Sequence, residues 1–242
     1  MPSTNTEAAN QAARGAGEGL CVVAREQTSG RGRERRTWSS PRDAGLYFSM
    51  ILRPRFSLSD WPMITLMAAV AVHRALREAF NLQADIKWPN DIHANEKKIC
   101  GILAETVETG LGRAVILGIG INLDDRNLPS GLKETATSLQ TLLGERPDVE
   151  HLLNSLIQNL DLSYSVLNSK DGIADTLRDW TVRSSYAEGK RVRVNLTNES
   201  FEGATRGLEP DGALRVETAE GNIRVIRAGD VIALRAFNQD KK

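Results

Sequence analysis

The stretch between residues 20 and 38 begins as an apolar run and continues as a loop rich in glycine and arginine. The run at 20–24 predicts a buried strand. The loop holds four arginines and two glycines between Gly30 and Arg36. Gly30 and Gly32 are expected to allow positive φ and close approach of a ligand, while arginines offer forked donors to phosphate or carboxylate. This pattern predicts a mobile cationic lid over an anionic small molecule. A solvated basic loop and an RNA-binding arginine–glycine segment are the alternatives.

Charge and apolar content narrow the class of protein. The chain has 242 residues, with 31 Lys plus Arg and 31 Asp plus Glu, so its formal net charge is zero. Proteins that mainly coat nucleic acid or anionic lipid usually carry a basic excess, so those classes are disfavoured. No secretion signal and no span of about eighteen apolar residues is present, which favours a cytoplasmic protein without a membrane partner.

Cysteine and histidine positions do not predict a metal site. Cys21 and Cys100 each lie in an apolar run, so both are expected to be buried free thiols of a reducing compartment. The three histidines are scattered without the spacing of metal ligands. The sequence by itself therefore assigns no metal ligands.

Hydrophobic periodicity divides the first 185 residues into mixed helices and strands. Strands are predicted at 46–52, 86–88 and 115–123, and a hairpin is predicted at 91–107 with its turn near Asn95–Glu96. Helices are predicted at 4–14, 64–80, 148–167 and 172–184.

Two local patterns within these elements bear on function. Ser3 and Glu7 have the spacing of a capping box at the start of the first helix. Gly118 and Gly120 interrupt a buried strand. Glycines in a strand often mark where a ligand or another backbone lies against the sheet.

The composition changes near residue 186. From Gly189 onward, five short alternating strands are separated by tight turns such as 210–212 and 228–230. Such a pattern is typical of a small β-barrel. We predict two domains, a larger one at 1–185 and a C-terminal barrel at 186–242.

Several motifs occur together along the chain: STN at 3–5, GRGRERRTW at 30–38, KWPND at 87–91, KKICGILAE at 97–105 and GIGIN at 118–122. This ordered set closely resembles the biotin–protein ligases, also called biotin–[acetyl-CoA-carboxylase] ligases, in their short form without a DNA-binding domain. The resemblance covers essentially the whole chain. It implies an α+β fold, with a mixed-sheet biotin/lipoate ligase-like catalytic domain related to class II aminoacyl-tRNA synthetases and an SH3-like β-barrel.

The resemblance also implies the reaction. Biotin carboxylate attacks the α-phosphate of ATP to give biotinyl-5′-AMP and pyrophosphate, and a lysine of a biotin carboxyl carrier domain then attacks the mixed anhydride. ATP with Mg²⁺ and biotin are implied as substrates, with no tightly bound prosthetic group. The carrier domain of the acetyl-CoA carboxylase type is the implied protein partner. DNA binding is not expected, and the family's sheet-to-sheet pairing allows a homodimer.

Motif positions that match the family carry the implied roles. Lys98 would bridge the biotin carboxylate and the phosphoryl oxygens, Arg33 would help retain the adenylate, and Asp91 would orient or deprotonate the incoming lysine. Asp91 could equally be a turn residue or help hold Mg²⁺. The residues implied for biotin are Ser3, Thr4, Asn5, Gln27, Gly30, Arg31, Gly32, Arg33, Lys98, Gly101, Gly118 and Gly120. Those implied for ATP or the adenylate are Arg31, Arg33, Arg36, Trp38, Asn90, Lys98 and Asn122.

Two positions depart from the family pattern. Arg35 stands where many relatives have glycine, which predicts a stiffer and more cationic loop. Pro2 stands where relatives commonly have aspartate, so we expect either that the natural chain begins upstream of Met1 or that the pocket beside Ser3 closes differently. Two other functions stay open: a lipoate or octanoyl ligase on the same scaffold, and a non-catalytic ligand- or nucleic-acid-binding module.

Overall fold

A six-stranded sheet forms the centre of the larger part of the molecule. A computed structural model of the chain describes residues 1–124 and 130–234. All pairings between adjacent strands of this sheet are antiparallel, and parallel pairing in the described ranges is limited to the isolated bridge between Lys98 and Ala136. The strands are β1 Cys21–Ala24, β2 Gly45–Leu52, β3 Asp85–Lys87, β4 Asp91–Ala94, β5 Lys97–Thr109 and β6 Gly112–Asn122, in the order β1-β2-β6-β5-β4-β3.

Helices cover both faces of this sheet, which agrees with the predicted α+β class. On β6, Val115, Leu117, Ile119 and Ile121 join the main core formed with the longer helices. The alternate residues on the opposite face contact the small α1, because strand side chains alternate. The helices are α1 Thr4–Ala13, α2 Met63–Phe80, α3 Leu139–Leu143, α4 Val149–Leu167 and α5 Gly172–Thr181.

The predicted start of α1 is correct, but its cap is not the predicted one. Ser3 is the N-cap residue and its side chain makes no capping hydrogen bond. Its carbonyl instead accepts from Glu7 N at 3.0 Å, as in an ordinary first turn. The residues before α1 pair with the base of the lid, since Ser29 N donates to Pro2 O at 2.8 Å. The side chain of Ser3 is therefore not used in capping, although the residue is buried.

The C-terminal strands form an open sheet and not a closed barrel. Five strands are present as predicted, all antiparallel. Closure would require the two edge strands to pair, but each is only four residues long and pairs inward alone. The strands are β7 Glu188–Asn195, β8 Ser200–Leu208, β9 Leu214–Thr218, β10 Ile223–Ile226 and β11 Asp230–Ala233, in the order β10-β9-β8-β7-β11.

The two sheets are joined by a buried contact. Trp88 is 2% exposed, and its indole Nε1 donates to Gly212 O at 3.0 Å. This bond fixes the turn between β8 and β9 against the segment that links β3 and β4. The division of the chain at residues 185 and 186 stays a prediction.

Two further expectations concern cysteines and membranes. Cys100 is buried as predicted, but Cys21 is exposed, because it lies on the edge strand β1, whose side chains alternate in exposure. Among the residues that the structure describes, no helix has both the length and the apolar character needed to span a bilayer.

Candidate active site

A cleft of about 940 Å³ opens on the sheet face that carries α1. Its walls are the start of α1, the loop at 30–38 (hereafter the lid), the β4–β5 hairpin and β11. Every residue predicted for the site lines the cleft except Gly30. Residues from the five motifs, together with Gln27, are thus brought to one place by the antiparallel register of the sheet and by the lid folding over it.

One end of the cleft is polar and uncharged. Gln27 Oε1 accepts from the backbone N of Thr4 at 2.8 Å and from its Oγ1 at 3.1 Å. Gln27 Nε2 donates to Ser40 Oγ at 2.8 Å, and Ser40 Oγ donates to Trp38 O at 3.1 Å. The STN segment is therefore tied to the far stem of the lid through side-chain hydrogen bonds.

Asn5 is held in one orientation by contacts on both sides of its amide. Ser49 Oγ donates to Asn5 Oδ1 at 2.6 Å, and Asn5 Nδ2 donates to Glu105 Oε2 at 2.7 Å. Asn5 is 4% exposed. Paired amide and hydroxyl groups of this kind suit a neutral ligand that needs both donors and acceptors.

The glycines of β5 and β6 make room for side chains of the protein itself. A Cβ on Gly118 would collide with Asn5 Oδ1, and a Cβ on Gly120 would lie 2.5 Å from Trp38 Nε1. A Cβ on Gly101 would approach Trp38 Cζ3 to 2.9 Å. In this conformation Asn5 and Trp38 therefore lie over Gly118 and Gly120, the two strand glycines for which the resemblance implies contact with biotin.

The other end of the cleft is charged. Asp91 and Lys98 face each other across the β4–β5 hairpin, where a bulge shifts the register after Ile92, and Lys98 Nζ lies 2.6 Å from Asp91 Oδ1. The same ammonium group lies 5.4 Å from the centre of the Trp38 ring, within cation–π range. The buried Trp38 Nε1 has no hydrogen-bond acceptor in the described ranges.

The lid is a tight loop closed by its own backbone. Trp38 N donates to Gly30 O at 3.0 Å and Gly32 N donates to Arg36 O at 2.7 Å. Positive φ falls on Glu34 and Arg35, at 55° and 60°, and not on the glycines as predicted. Gly30 is required for a different reason, since a Cβ there would lie 2.5 Å from Ser40 Oγ and would also collide with the lid backbone.

Three lid arginines contact three different elements. Arg31 NH2 lies 2.7 Å from Glu105 Oε2 on β5. Arg33 NH1 donates to Asn90 Oδ1 at 3.2 Å. Arg36 NH2 lies 2.6 Å from Asp230 Oδ2 on β11, and this contact lowers the pKa of Asp230 below its ordinary value. The guanidinium groups are thus distributed around the cleft in defined positions.

The two asparagines predicted for the adenylate use their amide groups on the protein backbone. Asn90 Nδ2 donates to Ile102 O at 2.7 Å, and Asn122 Nδ2 donates to Thr137 O at 3.0 Å. Both residues line the cleft. These contacts hold the backbone segments on either side of Lys98. The backbone of Lys98 itself pairs with residues 135 and 137.

Comparison with known proteins identifies the family. Residues 1–122, half of the chain, match the Biotin/lipoate A/B protein ligase family. The chain belongs to this family. Residues 189–233 match the Biotin protein ligase C terminal domain, which specifies the biotin members of the family.

Individual relatives match over nearly the full chain. The Bifunctional ligase/repressor BirA of Bacillus subtilis is 39% identical over 236 residues, covering 96% of this chain and 71% of that protein. The Biotin--[acetyl-CoA-carboxylase] ligase of Paracoccus denitrificans is 34% identical over 236 residues, covering 95% and 96%. The structure of the biotin protein ligase from Aquifex aeolicus in complex with biotin and ATP superposes with a TM-score of 0.83 at 29% identity, covering 97% of this chain and 96% of that one.

Some residues around the cleft of this biotin protein ligase were not assigned from the sequence. Lys87 opens the KWPND motif and lines the cleft, where burial lowers its pKa. His93 lines the cleft too, and burial, followed by the charge of Lys87, lowers its pKa to about 4. Glu105 closes the KKICGILAE motif, so the motif was a signal for it. Asp230 gave no signal, because its partner Arg36 lies 194 positions away.

Proposed function

We propose that this biotin protein ligase joins biotin to ATP as biotinyl-5′-AMP and then transfers biotin to a lysine of a carboxyl carrier domain. The observation that carries this proposal is the arrangement of the cleft. A polar, uncharged end at Ser3–Asn5 suits the ureido group of biotin. A charged end at Lys98, Asp91 and Arg33 suits the carboxylate and phosphate that react.

The first step brings two anions together. A biotin carboxylate oxygen forms a bond to the α-phosphorus, and the bond from that phosphorus to pyrophosphate breaks. Lys98 and Arg33 both line the cleft and would supply positive charge that neutralises the approaching groups and holds them in line. The free indole N–H of Trp38 adds a further donor beside Lys98.

The second step transfers the acyl group. The neutral amine of the acceptor lysine attacks the biotinyl carbonyl, a C–N bond forms, and the C–O bond to AMP breaks. The amine must lose a proton, and the carboxylate of Asp91 lies at the reacting end of the cleft to accept it. Lys98 would neutralise the phosphate of the leaving AMP.

Mg²⁺ would enter with the nucleotide. No group of three or more His, Cys, Asp or Glu suited to a metal ion occurs in residues 1–124 and 130–234. Magnesium is usually held by one or two carboxylates together with substrate phosphates, and Asp91 is a carboxylate that lines the cleft beside Lys98. A single carboxylate of this kind fits an Mg²⁺ ion that is bound mainly by the nucleotide. The ion would supply further neutralisation of the phosphate charge.

Several finer expectations remain part of this proposal. The carrier is expected to be of the acetyl-CoA carboxylase type, and the enzyme is expected to act in the cytoplasm without binding DNA. A homodimer stays a prediction. The division into two domains between residues 185 and 186 also stays a prediction.

The decisive experiment measures pyrophosphate release from ATP with biotin or with lipoate, followed by transfer to a purified carrier domain. We expect biotin-dependent release and a labelled carrier lysine. Release that depends on lipoate instead would favour the alternative ligase. Absence of release with either acid would indicate a non-catalytic binding module.

A further inference from the structure

We propose that Glu105 is a positioning residue that couples the biotin end of the cleft to the lid. The inference deepens the proposed function and rests on it. Glu105 lies on β5, opposite Ile116 of β6, and is not among the residues that line the cleft. It would act through its two neighbours, Asn5 and Arg31.

A single oxygen atom of Glu105 serves both neighbours. Oε2 accepts from Asn5 Nδ2 at 2.7 Å and from Arg31 NH2 at 2.7 Å. One donor belongs to the start of α1 and the other to the near stem of the lid. The position of this oxygen is therefore set jointly by the biotin segment and by the lid, because moving either donor alters the geometry available to the other.

The side-chain amide of Asn5 lies where a bound ligand would affect its hydrogen bond to Glu105. Its Oδ1 is engaged by Ser49, which fixes the direction of the amide and turns Nδ2 toward Glu105. Apart from Glu105, Nδ2 has only a long contact of 3.5 Å to Leu103 O, which is weak enough for a ligand acceptor to replace. A ligand on Asn5 would thus hold the amide and leave Glu105 in place for Arg31.

In this structure Arg31 forms an ion pair with Glu105, whereas the family resemblance implies that it contacts ATP or the adenylate. The two side chains are partly exposed, at 46% for Arg31 and 32% for Glu105. Ion pairs this exposed add little to folding stability. The pair is better suited to holding a movable loop, where a small free energy changes the closed fraction directly.

The far stem of the lid has its own connection to the same segment. Gln27 Oε1 accepts from both donors of Thr4, and Gln27 Nε2 donates to Ser40 Oγ, which in turn donates to Trp38 O. That route is made of neutral groups. The Asn5–Glu105–Arg31 route contains the ion pair, so a charge-neutral substitution affects it selectively.

The test uses four single variants of the full chain, the double variant Arg31→Gln/Glu105→Gln, and two measurements. Glu105→Gln keeps an acceptor for Asn5 and removes the charge that holds Arg31, whereas Glu105→Leu removes both contacts. Arg31→Gln breaks the pair from the other side. Glu108→Gln is the matched control, since Glu108 lies on the same strand in an ion pair with Arg113, away from the cleft. The measurements are the KM for biotin in pyrophosphate release, and the escape of adenylate, scored as biotin on serum albumin per pyrophosphate released.

We expect a split between the two measurements. In Glu105→Gln, adenylate escape should rise about three- to fivefold, the size of an exposed ion pair, while the KM for biotin changes less than about twofold. In Glu105→Leu the KM should also rise, by about tenfold, because a buried amide donor loses its acceptor. Arg31→Gln should raise adenylate escape as much as Glu105→Gln does. In the double variant Arg31→Gln/Glu105→Gln, escape should be no higher than in either single variant.

Equal escape from Glu105→Gln and Glu108→Gln, or additive effects in the double variant, would overturn the coupling. If Glu105→Gln does not fold, unchanged escape from Arg31→Gln overturns it equally. A wild-type enzyme that shows no biotin-dependent pyrophosphate release would overturn the proposed function itself, and the coupling with it. The two failures are therefore distinguishable.

Discussion

Lys98 contacts both an acid and an aromatic ring, which fixes its ammonium group before any substrate arrives. Nζ is 2.6 Å from Asp91 Oδ1 and 5.4 Å from the centre of the Trp38 ring. A cation that is already oriented toward the place where phosphoryl charge develops requires little reorganisation in the transition state. We therefore predict that this residue has the largest single effect on adenylation.

Replacing Lys98 with alanine should abolish most adenylate formation and leave the fold intact. Losing one preorganised contact to the transition state costs about 2.7–4 kcal/mol, or roughly a hundred- to thousand-fold in rate. Biotin-dependent pyrophosphate release measures the effect. Lys97→Ala is the control, because the neighbouring Lys97 points to Lys133 O and does not line the cleft. Near-normal release from a folded Lys98→Ala enzyme would remove Lys98 from the mechanism.

Replacing Arg33 with glycine should allow adenylation but weaken retention of the intermediate. The Arg33 guanidinium reaches Asn90 across the cleft, whereas Lys98 holds its place independently of that contact. Released mixed anhydride would then acylate exposed lysines of bystander proteins. Incubation with biotin, ATP and serum albumin, followed by a biotin blot, measures the release. Arg35→Gly removes a different lid arginine at φ 60° and should not increase labelling. No increase with Arg33→Gly would contradict the retention role.

Folding stability should fall as the pH drops below 6.5, and His93 should account for part of the fall. Its folded pKa is about 4, below the ordinary value of 6.5, mainly because the ring is buried. Between these values the unfolded chain binds a proton that the folded chain does not, so the free energy of unfolding decreases as the pH falls. The full contribution is up to about 3 kcal/mol.

Urea unfolding of His93→Gln and wild type at pH 7 and pH 4.5 isolates this contribution. Glutamine does not titrate, so the variant should lose less stability than the wild type over this interval. His151→Gln, at an exposed histidine, should behave as the wild type does. An identical loss in His93→Gln and wild type would show that His93 does not carry the effect.

The sequence predicted which residues line the cleft, but it did not predict the contacts between their side chains. Sixteen of the seventeen residues predicted for the site line one cleft, with Gly30 as the exception, because each motif occupies a fixed place on a strand or loop. They could not predict that Asn5 and Trp38 lie over the glycines of β6. Such contacts depend on which conformation a long loop adopts, and local pattern does not encode that.

At the scale of elements, the strands were predictable and the lid was not. The antiparallel hairpin turns at Asn95 and Glu96, both at positive φ, as expected for a two-residue hairpin connection. In the lid, the same conformation falls on Glu34 and Arg35. Non-glycine residues adopt positive φ uncommonly, so the position of Arg35, where many relatives have glycine, predicts local strain in this lid.

Hydrogen exchange should show that the lid becomes ordered when ligands bind. The lid backbone is closed by few hydrogen bonds, and the ion pairs that hold Arg31 and Arg36 are partly exposed and therefore weak. We expect the amides of Gly32, Arg36 and Trp38 to exchange rapidly in the free enzyme and slowly with biotin plus ATP. The amides of β6 serve as an internal reference that stays protected in both states. Equal lid protection with and without ligands would refute this behaviour.

At the scale of the whole molecule, the C-terminal sheet forms one wall of the cleft. Its strand number followed from alternating patterns and turns, but its open form did not, because closure depends on pairing between strands that are distant in sequence. β11 remains an edge strand. Asp230 at its first position is therefore free to reach the lid, and it holds Arg36 through two contacts, at 2.6 Å and 3.3 Å.

Asp230→Asn should loosen the lid from the C-terminal sheet without unfolding either sheet. The Arg36 and Asp230 side chains are 59% and 46% exposed, so the pair contributes at most about 1 kcal/mol, or roughly fivefold in the closed fraction. Because Arg36 would no longer be preorganised beside the nucleotide, the KM for ATP should rise by about that factor, while the KM for biotin changes less. Asp211→Asn is the control, since Asp211 pairs with Arg227 inside the same sheet and does not line the cleft. If both variants gave the same KM for ATP, the C-terminal sheet would have no part in holding the lid, and the contact between Arg36 and Asp230 would be only a surface ion pair.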